Sequence, residues 1–315
     1  MTLPAWVDGV LLDVETARVS ALDLGLRSGI GVFETLRVRA GATFRLALHL
    51  DRLRSGGADL GIEIDTAELA LAIDAIVDEL ARRTARARSG IDDLVLRLTV
   101  TAGPLDPEAE FPPPTIGRPT RIVTVHPAPP VPLPPARAAT FVGARDLAAT
   151  KSTSYAAAHR ALLLARAAGA DLALLVDDGH VVEAANGNLI AIVDGEVIAP
   201  PVGERALPGI TRAAVLEVVR GGALTGRRVI EAPLTLDELV AADAVLVTSA
   251  VAGLRDVVAI DGAAVGRGRA GHGGAGAVEA LRSAFDALVA REAQPRASDA
   301  LGAREAAPGA SEAGE

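Results

Sequence analysis

The segment "HPAPPVPLPPARA" (His126–Ala138) constrains this chain more than any other stretch. Proline fixes φ and removes a backbone donor, so a run this dense in proline is extended and is neither helix nor central strand. At 315 residues the chain is long enough for one large domain or two ordinary ones, and the proline run chooses two. Residues 1–126 are expected to form a small N-terminal α/β domain, 127–138 the connection, and 139–292 a second, β-rich domain. From about Ala293 the sequence turns to Ala, Gly, Pro, Ser and Glu with few large apolar residues, so 293–315 are expected to form a disordered tail.

Periodicity fills in both halves. "VFETLRV" (Val32–Val38), "LVLRLTV" (Leu94–Val100) and "RIVTV" (Arg121–Val125) read as strands. Phe44–Leu60 and Thr66–Arg88 read as helices, the second with Leu69, Ile73, Ile76, Val77 and Leu80 at helical spacing. In the second half, helices are expected over Ser154–Ala168 and just after Gly209. Hairpins are expected at Asp177–Gly179, at Asp194-Gly195 and in "VVAIDGAAV", because Asp-Gly supplies the backbone that a two-residue turn needs.

Composition excludes several classes of function. There are no cysteines, so disulfides, thiolate metal sites and a cysteine nucleophile are ruled out. A net charge of −9, with arginines spread along the chain, argues against a nucleic-acid partner. The five histidines lack metal-ligand spacing, and no metal is expected. "GRGRAGHGGAG" (Gly266–Gly276) lacks nucleotide-loop spacing and reads as a turn before the last helix. No signal-like or membrane-length apolar run is seen, and the expectation is a cytoplasmic protein with no membrane contact.

One residue stands apart. Lys151, in "LAATKSTSYAAAHR", is the only lysine beside 30 arginines, and Tyr155 is the only tyrosine. Arginine cannot be deprotonated in a protein, whereas a Schiff base needs a neutral primary amine. Lys151 is therefore a candidate covalent anchor for an aldehyde, of which pyridoxal phosphate is the usual one; a lysine spared by chance from a drift towards arginine is the alternative. Such a site also needs a carboxylate for the ring nitrogen, a phosphate cradle and a fixed cation. Glu183 could supply the first, the start of the "PGITR" helix at Ile210 and Thr211 the second, and Arg52 in "HLDRL" the third. Taken singly, Glu183 also reads as a strand-end charge and Arg52 as a helix-surface arginine.

Together, "GVFETLRV", "HLDRL", "KSTSY", "GADLALLVDDGHVVEAANGNL", "LPGITR" and "VTSAV" resemble the class IV (fold-type IV) pyridoxal-phosphate aminotransferases. That family includes branched-chain aminotransferases, D-amino-acid aminotransferases and aminodeoxychorismate lyases. The resemblance runs from about Leu22 to Ala284, and the separation 183 − 151 = 32 fits the family's lysine-to-glutamate spacing. It implies a small α/β domain joined to a larger pseudo-barrel domain, a homodimer, and pyridoxal 5'-phosphate as cofactor. It further implies that Lys151 forms the Schiff base and shuttles protons, that Glu183 pairs with the pyridine nitrogen, and that Tyr155 bonds the phenolic oxygen. Arg52, Ile210, Thr211 and the Thr248–Ala250 loop (Thr248, Ser249, Ala250) would hold the phosphate. Leu207 would pack on the ring, and Asn188 would support the strand of Glu183.

The departures bear on the reaction. Ile30 replaces an aspartate, the asparagine expected beyond Tyr155 is missing, and Ala250 stands where the family has a hydroxyl. Ala102 replaces the carboxylate-binding arginine of D-amino-acid enzymes, and no tyrosine is left for a branched-chain pocket. Arg97 could bind a substrate carboxylate, or be an exposed strand charge. The resemblance therefore points first to aminodeoxychorismate lyase, which eliminates pyruvate to leave 4-aminobenzoate. A class IV transaminase acting on branched-chain or D-amino acids with 2-oxoglutarate is the alternative, and a family member that binds the cofactor without turnover a minor one.

Overall fold

The computed structural model describes residues 2–87, 93–108, 117–224, 226–266 and 274–294. The chain forms two compact units: one spans Met1–Ala128 and resumes at Glu292, and the other is Pro129–Arg291. The expected glycine-rich turn (in large part) and the tail beyond Gln294 lie outside the described residues.

The first unit contains β1 (Pro4–Val7), β2 (Val10–Asp13), α1 (Leu24–Ser28), β3 (Gly31–Arg39), β4 (Ala42–Phe44), α2 (Leu46–Asp59), α3 (Thr66–Ala87), β5 (Asp93–Thr101) and β6 (Thr120–Pro127). The second contains β7 (Ala136–Val142), α4 (Ala156–Ala167), β8 (Leu172–Asp177), β9 (His180–Ala184), β10 (Asn188–Val193), β11 (Glu196–Ala199), α5 (Ile210–Arg220), β12 (Val229–Glu231), α6 (Leu236–Ala241), β13 (Ala244–Ser249), β14 (Gly253–Ile260), β15 (Ala263–Ala264) and α7 (Gly274–Glu292). The chain then adds β16 (Ala293–Gln294) to the first unit.

The first unit is built on an antiparallel seven-stranded sheet, ordered β16-β4-β3-β5-β6-β1-β2. Alternation sends Val32, Leu36 and Val38 of β3 to one face, together with Leu96 and Leu98 of β5 and Val123 and Val125 of β6. Leu46, Leu50 and Leu53 of α2 and Leu69, Ile73, Ile76 and Leu80 of α3 recur every three or four residues and complete that core. Burying each leucine or isoleucine side chain contributes about 1.5–3 kcal/mol before entropy is counted.

The second unit is a mixed sheet, ordered β12-β11-β10-β13-β14-β7-β8-β9, with β15 paired to β14. Its parallel pairs are β11 with β12, β14 with β7, and β7 with β8. The three expected hairpins are present: Asp178-Gly179, Asp194-Gly195 and Asp261-Gly262 all have positive φ, as a type I′ turn requires. Helix α4 lies against the sheet through Ala158, Ala161 and Ala165, whose small side chains allow close approach to Ala173, Leu175 and Val182.

Two boundaries differ from the sequence reading. Strand β7 begins at Ala136, inside the stretch expected to be connection, because the prolines stop at Pro135 and the ladder loses no donor. Ala293 and Gln294, expected in the tail, pair with Phe44 and Thr43 of β4. No helix among the described residues is long and apolar enough to cross a membrane.

Candidate active site

Most of the residues expected at the site lie in the second unit. Strand β7 lies between β14 and β8, and after it a loop carries Arg145 and then Lys151, which is half-buried, before α4 begins. Glu183 lies near the end of β9 and is only 2 % exposed. Its Oε1 accepts from Arg145 Nε at 2.7 Å, and its Oε2 accepts from the Leu207 backbone N–H at 3.1 Å. Burial pushes the Glu183 carboxyl above its ordinary range; the Arg145 guanidinium, the Leu207 N–H and the charge of Lys151 pull it back without cancelling that effect.

Leu207 is held from both sides of its peptide, because its carbonyl accepts from Asn188 Nδ2 at 2.8 Å. Asn188 thus ties the start of β10 to the segment that carries Leu207, the role expected of it being support for the strand of Glu183. The same amide sets the approach of α5: a Cβ at Gly209 would lie 1.8 Å from Asn188 Oδ1. Only glycine fits there. No side chain caps α5 at Gly209, so Ile210 and Thr211 open the helix with backbone N–H groups that no N-cap side chain bonds.

Across the ladder from Asn188 stands Thr248, whose Oγ1 is buried with no hydrogen-bond partner among the described residues. Ser249 Oγ, by contrast, accepts from the Ala252 N–H at 3.1 Å, and Ala250 follows it half-buried. The Tyr155 hydroxyl donates to the Ala185 carbonyl at 2.5 Å, so its single proton is directed at the backbone.

Arg52 and Arg97 lie in the first unit. Arg52, on α2, meets Glu34 of β3 through two parallel bonds, Nε to Oε1 at 2.7 Å and Nη2 to Oε2 at 2.9 Å. Glu34 has no exposed surface and also takes His49 Nδ1 at 2.8 Å. Burial alone would raise the Glu34 carboxyl, but His49 and Arg52 outweigh it and hold it at about 2. Arg97 lies on the opposite face of the sheet, paired with Thr35 in register, and its guanidinium stands 3.5 Å from the centroid of the Phe33 ring.

Arg145, Glu34 and His49 escaped the sequence reading. Glu34 left a signal, since it interrupts the alternating apolar face of Val32, Leu36 and Val38, and a charge in a core row implies a buried partner. Arg145 left none beyond standing six residues before Lys151. Among the described residues no cluster of His, Asp and Glu could hold a metal ion.

The family described as amino-transferase class IV matches residues 31–260. A protein of Methanocaldococcus jannaschii, provisionally assigned as a branched-chain-amino-acid aminotransferase, is 33% identical over 274 residues, covering 85% of this chain and 91% of that one. An aminodeoxychorismate lyase of Bacillus subtilis is 28% identical, covering 74% of this chain and 80% of its own length. Among solved structures, a fold IV-transaminase of Curtobacterium pusillum superposes with a TM-score of 0.71 at 28% identity, over 90% of this chain and 93% of that one. By the family match along most of its length and by a relative one-third identical, this chain belongs to the class IV aminotransferases, pyridoxal-phosphate-dependent enzymes of fold type IV.

Proposed function

We propose that this chain is a pyridoxal-phosphate-dependent aminotransferase that moves the amino group of a branched-chain-type amino acid to 2-oxoglutarate. The observation that carries this reading is the 33% identity, over 85% of the chain, to a protein provisionally assigned to that activity. The residues of the second unit fit the cofactor. Lysine 151 can take its aldehyde, a buried carboxylate suits its ring nitrogen, and Thr248 Oγ1 is a buried polar atom in want of a partner beside an uncapped helix start.

Bound there, the cofactor supplies the electron sink that lets a proton leave the substrate carbon. Lys151, as a neutral amine, would accept that proton, becoming an ammonium, and return it as it reverts to the amine. Glu183 would accept a hydrogen bond from the protonated ring nitrogen, and Leu207, held by its bonds to Glu183 and Asn188, would pack on the ring. Ile210, Thr211 and the Thr248, Ser249 and Ala250 loop would offer N–H and hydroxyl groups to the phosphate; only the family resemblance assigns it Arg52 as fixed cation, a guanidinium that Glu34 already pairs within the first unit. The resemblance assigns Tyr155 to the phenolic oxygen, a role that would require its hydroxyl proton to leave the Ala185 carbonyl, and Arg97 is the candidate for a substrate carboxylate. By the same resemblance the working form is a homodimer, a mass that sedimentation reads directly.

The lyase reading, first choice on sequence alone, has weaker support, since its relative is less similar and covers less of the chain. What favours it is that the one tyrosine already bonds Ala185 beside the lysine loop, leaving none for an aromatic substrate pocket. A D-amino-acid enzyme is disfavoured because Ala102, fully buried, stands in place of its arginine.

The test is glutamate formation from leucine, isoleucine or valine with 2-oxoglutarate, run beside D-alanine. Turnover of the L-amino acids supports the proposal. Pyruvate from aminodeoxychorismate without any keto acid, and no glutamate, replaces it with the lyase. Cofactor retention with neither product points to a non-catalytic relative.

A further inference from the structure

The role of Arg145 is not explained by packing alone. Its side chain is 13% exposed, and it spends two donors on the site: Nε on Glu183 Oε1 at 2.7 Å and Nη2 on the Ala148 carbonyl at 3.0 Å. Ala148 lies three residues before Lys151, on the same loop. One guanidinium therefore ties the loop of the proposed covalent lysine to the strand of the proposed ring-nitrogen carboxylate.

The electrostatic consequence is specific. A carboxylate has about four lone-pair sites, and Arg145 and the Leu207 N–H take one on each oxygen, so capacity remains for a third donor. A charged ring N–H finds a counter-charge there only if Glu183 is ionised. Burial opposes ionisation, while a permanent cation in contact favours it. The charged groups facing Glu183 are Arg145 and Lys151; from α4 comes Tyr155, whose proton goes to Ala185, and from β10 comes neutral Asn188, acting through Leu207. Lys151 can lose its charge during the reaction and arginine cannot, so Arg145 is the constant term.

We propose that Arg145 is a positioning residue that keeps Glu183 a carboxylate, so that the proton shared between Glu183 and the cofactor's ring nitrogen stays on the ring. This rests on the reading of Glu183 as the ring-nitrogen partner. No proton is gained or lost between the two states; it lies on nitrogen beside a carboxylate, or on oxygen beside a neutral pyridine. Only the first leaves the ring a strong electron sink.

The experiment uses the whole protein loaded with pyridoxal phosphate labelled with 15N in the ring, and reads the nitrogen chemical shift against pH. The original protein is expected to give a protonated-ring shift throughout the neutral range. Arg145→Gln is expected to move that shift towards the neutral-pyridine value, and Arg145→Lys to restore it. An unchanged shift in Arg145→Gln overturns the proposal. Glu183→Gln, measured in parallel, separates the two readings: if it too leaves the shift unchanged, the assignment of Glu183 has failed, and if it alone moves the shift, only the role of Arg145 has. Should Arg145→Gln not fold, Arg145→Lys decides. A lysine can be deprotonated and an arginine cannot, so the lysine variant is expected to lose the protonated-ring signal at a lower pH than the original protein. Coincident pH profiles overturn the proposal.

Discussion

In the proposed function Lys151 carries the chemistry by residue type, and Lys151→Arg keeps its charge while removing its ability to form an imine. That variant is expected to lose all turnover and the visible absorption band of lysine-linked cofactor, both read on the purified protein. Retention of either removes Lys151 from its role. Glu34 is the second residue whose chemistry decides something, because it neutralises Arg52 and meets His49 inside the first core. Glu34→Gln leaves a nearly buried guanidinium without its counter-charge and is expected to cost about 3–5 kcal/mol in denaturant unfolding. The pH sign follows from the direction of the shift. The Glu34 carboxyl lies at about 2 when folded against an ordinary 4.5, so its stabilisation is complete above 4.5 and is lost as pH falls towards 2. The acid limb of stability is expected to flatten in Glu34→Gln, as urea melts at stepped pH would record.

At the level of elements, the start of α5 and the start of β10 are fitted to one another at Gly209 and Asn188. A methyl group at Gly209 would occupy the space of Asn188 Oδ1, 1.8 Å from it, so Gly209→Ala must displace a buried amide that holds Leu207. The expected cost is about 1–3 kcal/mol of overpacking, together with loss of the Asn188–Leu207 bond. Combining Gly209→Ala with Asn188→Ala is expected to cost less than the sum of the two, a double-mutant cycle that thermal melts can resolve. Helix α4 obeys the same rule in milder form: Ala165, fully buried between helix and sheet, is expected to lose about 1–3 kcal/mol on replacement by leucine.

On the scale of the molecule, the first unit is completed by residues from the far end of the sequence. Arg45, which precedes α2 in a left-handed conformation at φ 51°, pairs with Glu292 at 2.7 Å, just before β16 extends the sheet. Glu292→Gln is expected to cost no more than about 1 kcal/mol, seen as faster amide exchange at the sheet edge formed by β4 and β16. Most of the elements were legible beforehand. Apolar period sets α2, α3 and the long strands, Asp-Gly sets the hairpins, and residue type singles out Lys151 as the candidate imine former. All of these depend on local backbone preference or on the nature of one side chain, and both are written in sequence. The pairing of β16 with β4, the bidentate grip of Glu34 on Arg52, the bond from Arg145 to Glu183 and the exclusion of any Cβ at Gly209 were not legible. Each joins residues of different elements, 18 positions apart for Glu34 and Arg52 and 38 for Arg145 and Glu183. Such contacts depend on distances of a few ångströms that only the packed chain fixes. The sequence by itself thus determined which residues could do the chemistry, and tertiary structure alone decided which charges hold them in place.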